Sequence, residues 1–553
     1  MTMKSKRSRW GLVALGFGVI TLFGFYVPEE KYFEIVKSLD IFSTLFKEVN
    51  AYYVDELDPK KLTETGIHGM LESLDPYTDY IAEENEEAYS IQTTGQYAGI
   101  GALIGVVNKK VVVTHPYEGY PAQRAGIKVG DEFVSLDGKS VMGSSISDVS
   151  ALLKGKPKTE IQVVVKRAGQ KDNLSFKVMR ERIKISNVPY QGMLNTEIGF
   201  IKLSGFTPGA GKEVEQAVVQ LKAKGAKKII LDLRSNPGGL LREAINIVNV
   251  FVPKGNEVVA TKGKVQDWNK SYSTLNNPVD TEIPLAVLTN QSSASASEIV
   301  AGALQDYDRA VLVGQKTFGK GLVQTTRQLP YGSQLKITTA KYYIPSGRCI
   351  QALDYTHRKS DGTVERVADS LKSEFKTRVG RKVYDGGGLD PDLVLKNKMI
   401  NTAIEELLIS GYIFDYATKY CMEHAEPASM RNFKLSDAEY EKFVAWMKEK
   451  NFTYTTALEK RADDLLSAAK EERYANDLQN QMTKLQSSIQ QNRLTDLQRF
   501  KADISELLNS EIAFHYKLTS GQIEFAMEQD EDILEAKKIL ENASAYKKIL
   551  APL

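Results

Sequence analysis

From residue 183 to about residue 400, short apolar strands alternate with amphipathic helices, and few folds accept that order. Ile198 to Leu203, Lys228 to Leu233 (KIILDL), Ile283 to Leu288 (IPLAVL) and Ala310 to Val313 read as strands. Helical spacing falls between them, at Lys212 to Lys224, Leu240 to Phe251 and Ser297 to Leu304. Strands and helices alternating at this interval predict a layered α/β core.

The flanks differ in character. At 553 residues the chain has room for about three to five units. Residues 29–90 read as a helical region, with Ile35, Leu39, Phe42, Leu45, Phe46 and Val49 at a period near 3.6 and a second helix through Leu62, Ile67, Met70 and Leu71. Residues 91–182 carry short β-branched runs, Val111 to Val113 and Ile161 to Val165, between turn signals such as Val129-Gly130-Asp131 and Asp137-Gly138. With Tyr97-Ala98-Gly99-Ile100-Gly101 in front, this stretch resembles a PDZ domain. The resemblance implies that Gly99, Ile100 and Gly101 offer backbone N–H groups to a peptide's terminal carboxylate while the peptide adds as a strand to a sheet edge. The plainer reading is that these glycines make a tight turn. Residues 401–553 read as a helical extension. Between Ala428 and Pro552 there is no proline and one glycine, Gly521, and Leu478, Met482, Leu485 and Ile489 share a helical face. No chemistry is evident there, and packing or partner binding is its expected role.

Two loops come straight after strands of the α/β core: Arg234-Ser235-Asn236-Pro237-Gly238-Gly239, and Ser292-Ser293-Ala294-Ser295-Ala296-Ser297-Glu298. Ligands of open α/β sheets sit outside the carboxyl ends of strands. Glycines let the backbone approach a substrate, and a helix N-terminus carries unsatisfied N–H groups and partial positive charge. A serine there can face a cleft while the next N–H stabilises an oxyanion, and Glu298 suits the first helical turn for the same dipole reason. Helix capping is the plainer reading of a serine-rich start.

A nucleophilic serine needs a base. There is no G-x-S-x-G, and no histidine lies between His115 and His357. Downstream of the serine loop stands Lys316-Thr317-Phe318-Gly319-Lys320-Gly321-Leu322-Val323-Gln324. A lysine serves as base when neutral, which asks its pKa to fall by roughly three units from about 10.4. Burial beside Phe318 and Leu322 is a means to that. Gln324, four residues on, would share a face with Lys320 on a strand or a helix and could orient the amine. Against this stands the ordinary place of lysines at the surface.

The segment Ser293 to Gln324 resembles the signature of the carboxyl-terminal processing peptidases, serine peptidases with a Ser-Lys dyad and a crotonase-like core. LDLRSNPGG (Leu231 to Gly239), TGIHGMLESLDPYTDY (Thr65 to Tyr80) and GGGLDPDLVL (Gly386 to Leu395) resemble further family segments, although Tyr77-Thr78 replaces the more usual His-Ser. The match spans about residues 35–400. It implies Ser295 as nucleophile, Lys320 as base, Gln324 as assisting residue and the N–H groups of Gly239 and Ala296 as oxyanion donors, with no metal or cofactor. From the residues alone, Ser293 and Ser297 stay rivals of Ser295. The expected fold is therefore an α/β, crotonase-like peptidase core at 183–400, an inserted PDZ-like mainly-β domain at 91–182, and helical N- and C-terminal regions.

Residues 4–9 are Lys-Ser-Lys-Arg-Ser-Arg, and the 17 residues from Gly11 to Val27 carry no charge. With no A-x-A cleavage site, residues 1–28 read as an uncleaved signal anchor, a cleaved signal being the runner-up. The basic flank would stay cytoplasmic and the bulk would lie outside. Together with the resemblance, this implies a bacterial envelope endopeptidase anchored in the inner membrane, facing the periplasmic side, acting on proteins with accessible C-terminal tails. Self-association into a homo-oligomer is an expectation from the helical ends. Lys plus Arg is 72 against 70 for Asp plus Glu, without the basic excess of a nucleic-acid binder. Two cysteines exclude a disulfide scaffold. A catalytically silent PDZ scaffold is the rival reading. A crotonase-like acyl enzyme is a further one, and the export signal argues against it.

Overall fold

The computed structural model describes residues 29–359, 362–396 and 401–551. The expected anchor at 11–27 lies outside these residues. Among the described residues no helix is long and apolar enough to cross a membrane.

The chain divides into two units, residues 1–80 and 81–553. The first holds α1 (Glu29–Tyr52) and α2 (Pro59–Glu72), the helices expected from the 3.6 period. Asp58 starts α2 by accepting the Lys60 N–H at 2.9 Å, with Pro59 at the first helical position, where its missing N–H costs nothing.

The second unit begins with the mainly-β domain. Its strands are β1 (Gln96–Gly99), β2 (Ala102–Val107), β3 (Lys110–Pro116), β4 (Glu132–Leu136), β5 (Glu160–Lys166), β6 (Leu174–Met179) and β7 (Glu181–Lys184). Helix α3 (Ile146–Leu153) lies between β4 and β5. Sheet order is β2-β3-β4-β5-β6, and β1 pairs with β7. Among the described strands β2 pairs only with β3, so it is an edge.

The α/β core comes next: β8 (Tyr190–Met193), β9 (Ile198–Lys202), α4 (Ala210–Ala223), β10 (Lys228–Asp232), α5 (Leu241–Phe251), β11 (Glu257–Gly263), β12 (Lys270–Ser273), β13 (Leu285–Thr289), α6 (Ala296–Asp306), β14 (Val311–Gly314), β15 (Leu322–Gln328), β16 (Gln334–Tyr343) and β17 (Leu393–Val394). One sheet runs β8-β9-β10-β13-β14-β17, parallel except for the β8–β9 pair. In a second, antiparallel sheet β11 pairs with β12 and β16, and β16 pairs with β15.

The apolar runs of the main sheet alternate between two cores. Ile229, Leu231, Leu285, Val287 and Leu312 face α4, α5 and α6. Ile230, Ala286, Leu288, Val311 and Val313 face the other way, onto residues that come more than 200 positions later. Those residues belong to the end of the helical extension: α7 (Thr402–Ile409), α8 (Tyr412–Glu423), α9 (Asp437–Glu449), α10 (Ala457–Glu471), α11 (Ala475–Arg499), α12 (Lys501–Ala526), α13 (Glu531–Glu541) and α14 (Ala543–Leu550). Ile533, Ala536, Ile539 and Leu540 of α13 and Tyr546 of α14 cover the sheet. Each fully buried aliphatic or aromatic side chain there contributes roughly 1.5–3 kcal/mol. Helices α7, α8, α9 and α12 build a separate core through Leu407, Tyr416, Phe443 and Leu508. This region also meets the mainly-β domain, where Phe514 of α12 stands edge-on to His115 of β3, with ring centroids 5.1 Å apart.

Candidate active site

Ser295 stands at the start of α6 with φ +55° and ψ −114°. A non-glycine residue there costs of order 1–3 kcal/mol and persists where its surroundings impose it. The imposing group is the Glu298 carboxylate. Its Oε2 accepts the Ser295 N–H at 2.8 Å and the Lys320 N–H at 2.9 Å. Its Oε1 accepts the Gly319 N–H at 2.8 Å and the Thr317 hydroxyl at 2.5 Å. Thr317 Oγ1 itself accepts the Leu389 N–H at 2.7 Å, so its own proton is free to go to Glu298. Glu298 is fully buried. Burial pushes its carboxyl up to about 7, against the pull of the four donors.

Because one oxygen takes both amides, the Ser295 and Lys320 nitrogens are no further apart than those two bond lengths together. The Tyr342 hydroxyl bridges the same two residues on their carbonyl sides. It lies 3.2 Å from the Ser295 oxygen and hydrogen-bonds the Lys320 oxygen. The strand-to-helix turn and the lysine loop are thus tied together twice, by a carboxylate and by a phenol.

The first glycine loop meets the serine loop directly. The Asn236 carbonyl accepts the Ala294 N–H at 3.1 Å and the Ser297 hydroxyl at 2.9 Å. The Ser293 hydroxyl donates to the Leu233 carbonyl at 2.9 Å. Ser293 and Ser297 are fully buried with their hydroxyls committed in this way, whereas Ser295 is part exposed. Gly238 has φ +96°, and a Cβ there would stand 2.8 Å from the Ala296 nitrogen and 2.9 Å from Ser295 Cβ. Among the described residues the Gly239 and Ala296 N–H groups have no acceptor. For Ala296 the cause is its place as first residue of α6.

Gln324 lies in β15, where Val323 and Gln324 face Ala340 and Thr338 and leave Thr339 of β16 as the bulged residue, and its amide donates to Thr338 Oγ1 at 3.1 Å. Lys320 precedes the strand. The shared face expected for positions 320 and 324 is therefore not a product of strand alternation, since Lys320 stands outside β15.

In the mainly-β domain Gly99 ends β1, while Ile100 and Gly101 form the turn into β2. The carbonyls of Ile100 and Gly101 accept the Ala122 and Tyr117 N–H groups at 2.8 and 2.9 Å. Among the described residues the Ile100 and Gly101 N–H groups have no acceptor, and the edge strand β2 starts beside them. Among the described residues no group of three or more His, Cys, Asp or Glu side chains is placed to hold a metal.

Sequence reasoning missed the bridging role of Glu298, although S-x-x-E spacing is a capping-box signal that could have paired it with the Ser295 N–H. Tyr342, Thr317 and Asn236 left no local signal.

Family models agree with this architecture. Peptidase family S41 matches residues 197–356, a PDZ domain matches 112–167, and a "Probable PDZ-protease, C-terminal helical domain" matches 403–540. A "Probable CtpA-like serine protease" of Staphylococcus aureus (strain N315) is 36% identical over 365 residues, which are 63% of this chain and 72% of that protein. The chain belongs to peptidase family S41. A "Carboxy-terminal-processing protease" of Bartonella bacilliformis is 37% identical over 324 residues, covering 58% of this chain and 74% of that protein. The solved photosystem II D1 C-terminal processing protease is 28% identical and covers 64% of this chain and 92% of that chain, with a TM-score of 0.35. This S41 protein is a serine-type peptidase with a PDZ domain, acting on peptide substrates. That weighs against the catalytically silent scaffold.

Proposed function

We propose that Ser295 is the nucleophile, Lys320 the general base and Gln324 the residue that orients the amine. The observation that carries this is the double tie between Ser295 and Lys320 through Glu298 and Tyr342. In the proposed step the Ser295 oxygen bonds to the scissile carbonyl carbon, and its proton passes to a neutral Lys320 amine. The carbonyl oxygen becomes an oxyanion facing the Gly239 and Ala296 N–H groups. Collapse of this intermediate expels the peptide amine, which takes the proton back from Lys320. Water repeats the cycle on the acyl-enzyme.

The PDZ domain captures the C-terminal tail. The carboxylate goes to the Gly99–Ile100–Gly101 turn, with its two unengaged N–H groups, and the tail adds to the edge strand β2. Leu103 and Val106 on that strand are 48% and 57% exposed and would meet its side chains.

The charge-free stretch after a basic flank supports an envelope location with the bulk outside the cytoplasm. Phe33, Ile35, Leu39 and Phe42 of α1, each more than half exposed, support self-association.

The test is Ser295→Ala in the full chain against an unstructured protein, with and without its last five or so residues. Loss of all cleavage in the variant, and slower cleavage of the clipped substrate by the parent enzyme, are expected. Undiminished cleavage by the variant removes Ser295 from the reaction.

A further inference from the structure

Arg234 opens the glycine loop, and its guanidinium lies between two distant parts of the chain. Nε and Nη2 donate to Asp232, at the end of β10, at 3.1 and 2.9 Å. Nη1 donates to both oxygens of Asp530 at 2.8 Å and to Asp532 at 2.9 Å. Asp530 is also the cap of α13, accepting the Ile533 N–H at 3.0 Å. On the near side Lys202 Nζ donates to the Arg234 carbonyl at 2.7 Å and pairs with Asp232 at 3.2 Å. The Arg234 side chain is only 15% exposed. Burial works to raise the Asp232 carboxyl, and the Arg234 and Lys202 cations overcome it and hold it at about 2.

The loop after Arg234 has one tie of its own, Gly238 N–H to Asn236 Oδ1 at 3.0 Å, and takes others from its surroundings, among them Asn236 Nδ2 to the Leu203 carbonyl at 2.8 Å. Ser235 has φ +59°, Gly238 +96° and Gly239 +152°. For the non-glycine Ser235 such a conformation is kept by external ties. Asn290 supplies one, accepting the Ser235 N–H at 2.9 Å. The strongest available is the charge-assisted, forked contact at Arg234, whose geometry an arginine fixes in two directions.

We propose that Asp530 and Asp532 are positioning residues of the peptidase. Through Arg234 they hold residues 234–239 in the placement that aims the Gly239 N–H at the oxyanion. The C-terminal helices then complete the catalytic apparatus as well as covering the sheet. This rests on the reading of Gly239 and Ala296 as oxyanion donors.

A structural role alone and a positioning role separate cleanly. Asparagine caps a helix as well as aspartate does, so Asp530→Asn keeps the cap of α13 and removes its charge. The experiment is D530N/D532N in the full chain, with kcat and KM measured on an unstructured peptide and the folded fraction checked by circular dichroism. Expected is a fall in kcat of roughly 10- to 100-fold, short of the 10²–10³ for outright loss of an oxyanion donor, with KM within about twofold. Parent-like kcat per folded molecule overturns the proposal, as does a rise in KM with kcat unchanged. If the double variant does not fold, D530N alone is read for a smaller fall in kcat, and an unchanged kcat there overturns it equally. Ser295→Ala runs beside it. An inert Ser295→Ala with a fully active D530N/D532N removes only the positioning role, whereas an active Ser295→Ala removes the reading beneath it.

Discussion

The Glu298 carboxylate accepts the Ser295 N–H at 2.8 Å and is itself fully buried, so the strained turn that carries the serine is held by a group with no access to water. The same carboxylate takes the Lys320, Gly319 and Thr317 donors. Glutamine at 298 would keep the shape but turn one acceptor oxygen into an N–H₂ group facing other donors. A buried donor left without an acceptor costs about 1–3 kcal/mol. Glu298→Gln is therefore expected to lower Tm by several degrees and to lower kcat by roughly 100-fold, the scale of a disturbed oxyanion site. Thermal melts and steady-state kinetics check this, and parent-like kcat would leave Glu298 without a part in placing Ser295.

The same residue sets a pH dependence. Burial raises Glu298 from 4.5 to about 7 in the folded chain. Between those values the folded protein keeps a proton that the unfolded chain has lost. The contribution to stability is therefore full below about pH 4.5 and is lost as pH rises to about 7, by at most about 3 kcal/mol. Glu511, raised by burial to about 7, acts with the same sign. His515, lowered by burial to about 4, acts with the opposite sign, because there the unfolded chain holds the extra proton. The parent-minus-Glu298→Gln difference in unfolding free energy isolates the one group. Urea melts should show that difference shrinking across pH 4.5 to 7.5, and a flat difference would contradict the raised carboxyl.

How far the sequence could be read is set by these particulars. KIILDL and IPLAVL were legible as buried strands because both of their faces are covered, which leaves an unbroken apolar run. The cover of the second face was not legible. Ile230 and Leu288 share a core with Ile533 and Ile539, and nothing in a helical period names its distant partner. The serine and lysine loops carried their chemistry in short motifs. Their junction did not, because the donors to Glu298 assemble only when the loop after β14 returns beside α6. The second sheet escaped notice because β15, LVQTTRQ, is mostly exposed and polar and lacks an apolar period. The bulge at Thr339, opposite Gln324, likewise leaves no mark in composition.

Gly238 makes a prediction with its own control. A Cβ there would stand 2.7 Å from the Ala294 carbonyl, 2.8 Å from the Ala296 nitrogen and 2.9 Å from Ser295 Cβ, at φ +96°. Two of these are backbone atoms of the serine loop, and they cannot swing aside as a side-chain end would. Gly238→Ala is expected to cost about 1–3 kcal/mol from overpacking, with backbone strain in addition, and to lower kcat at least tenfold by pushing the two loops apart. Gly255 has a similar φ, +86°, with nothing within 4 Å of its would-be Cβ. Gly255→Ala should therefore bear the strain alone and keep its kcat. Equal losses of activity in the two variants would show that the glycine loop does not touch the serine loop as described.

The last helices offer a graded test of the sheet's second cover. The Tyr546 hydroxyl donates to the Leu285 carbonyl at 3.1 Å and accepts the Leu285 N–H at 3.0 Å, both buried. Leu285 begins β13, at the opposite end of that strand from the serine loop. Tyr546→Phe leaves the buried Leu285 N–H without its acceptor, at about 1–3 kcal/mol. It should lower Tm measurably while kcat at 25 °C stays at the parent value. Ending the chain at residue 528 removes α13 and α14 altogether. That would bare Ile198, Phe200, Ile230, Ala286, Leu288, Val311 and Val313, each at most 1% exposed. An apolar patch of that extent on an isolated sheet face drives association, so the shortened chain is expected in the insoluble fraction. A soluble, active enzyme of 528 residues would mean that the sheet is stable with one face open, and that the extension serves neither cover nor catalysis.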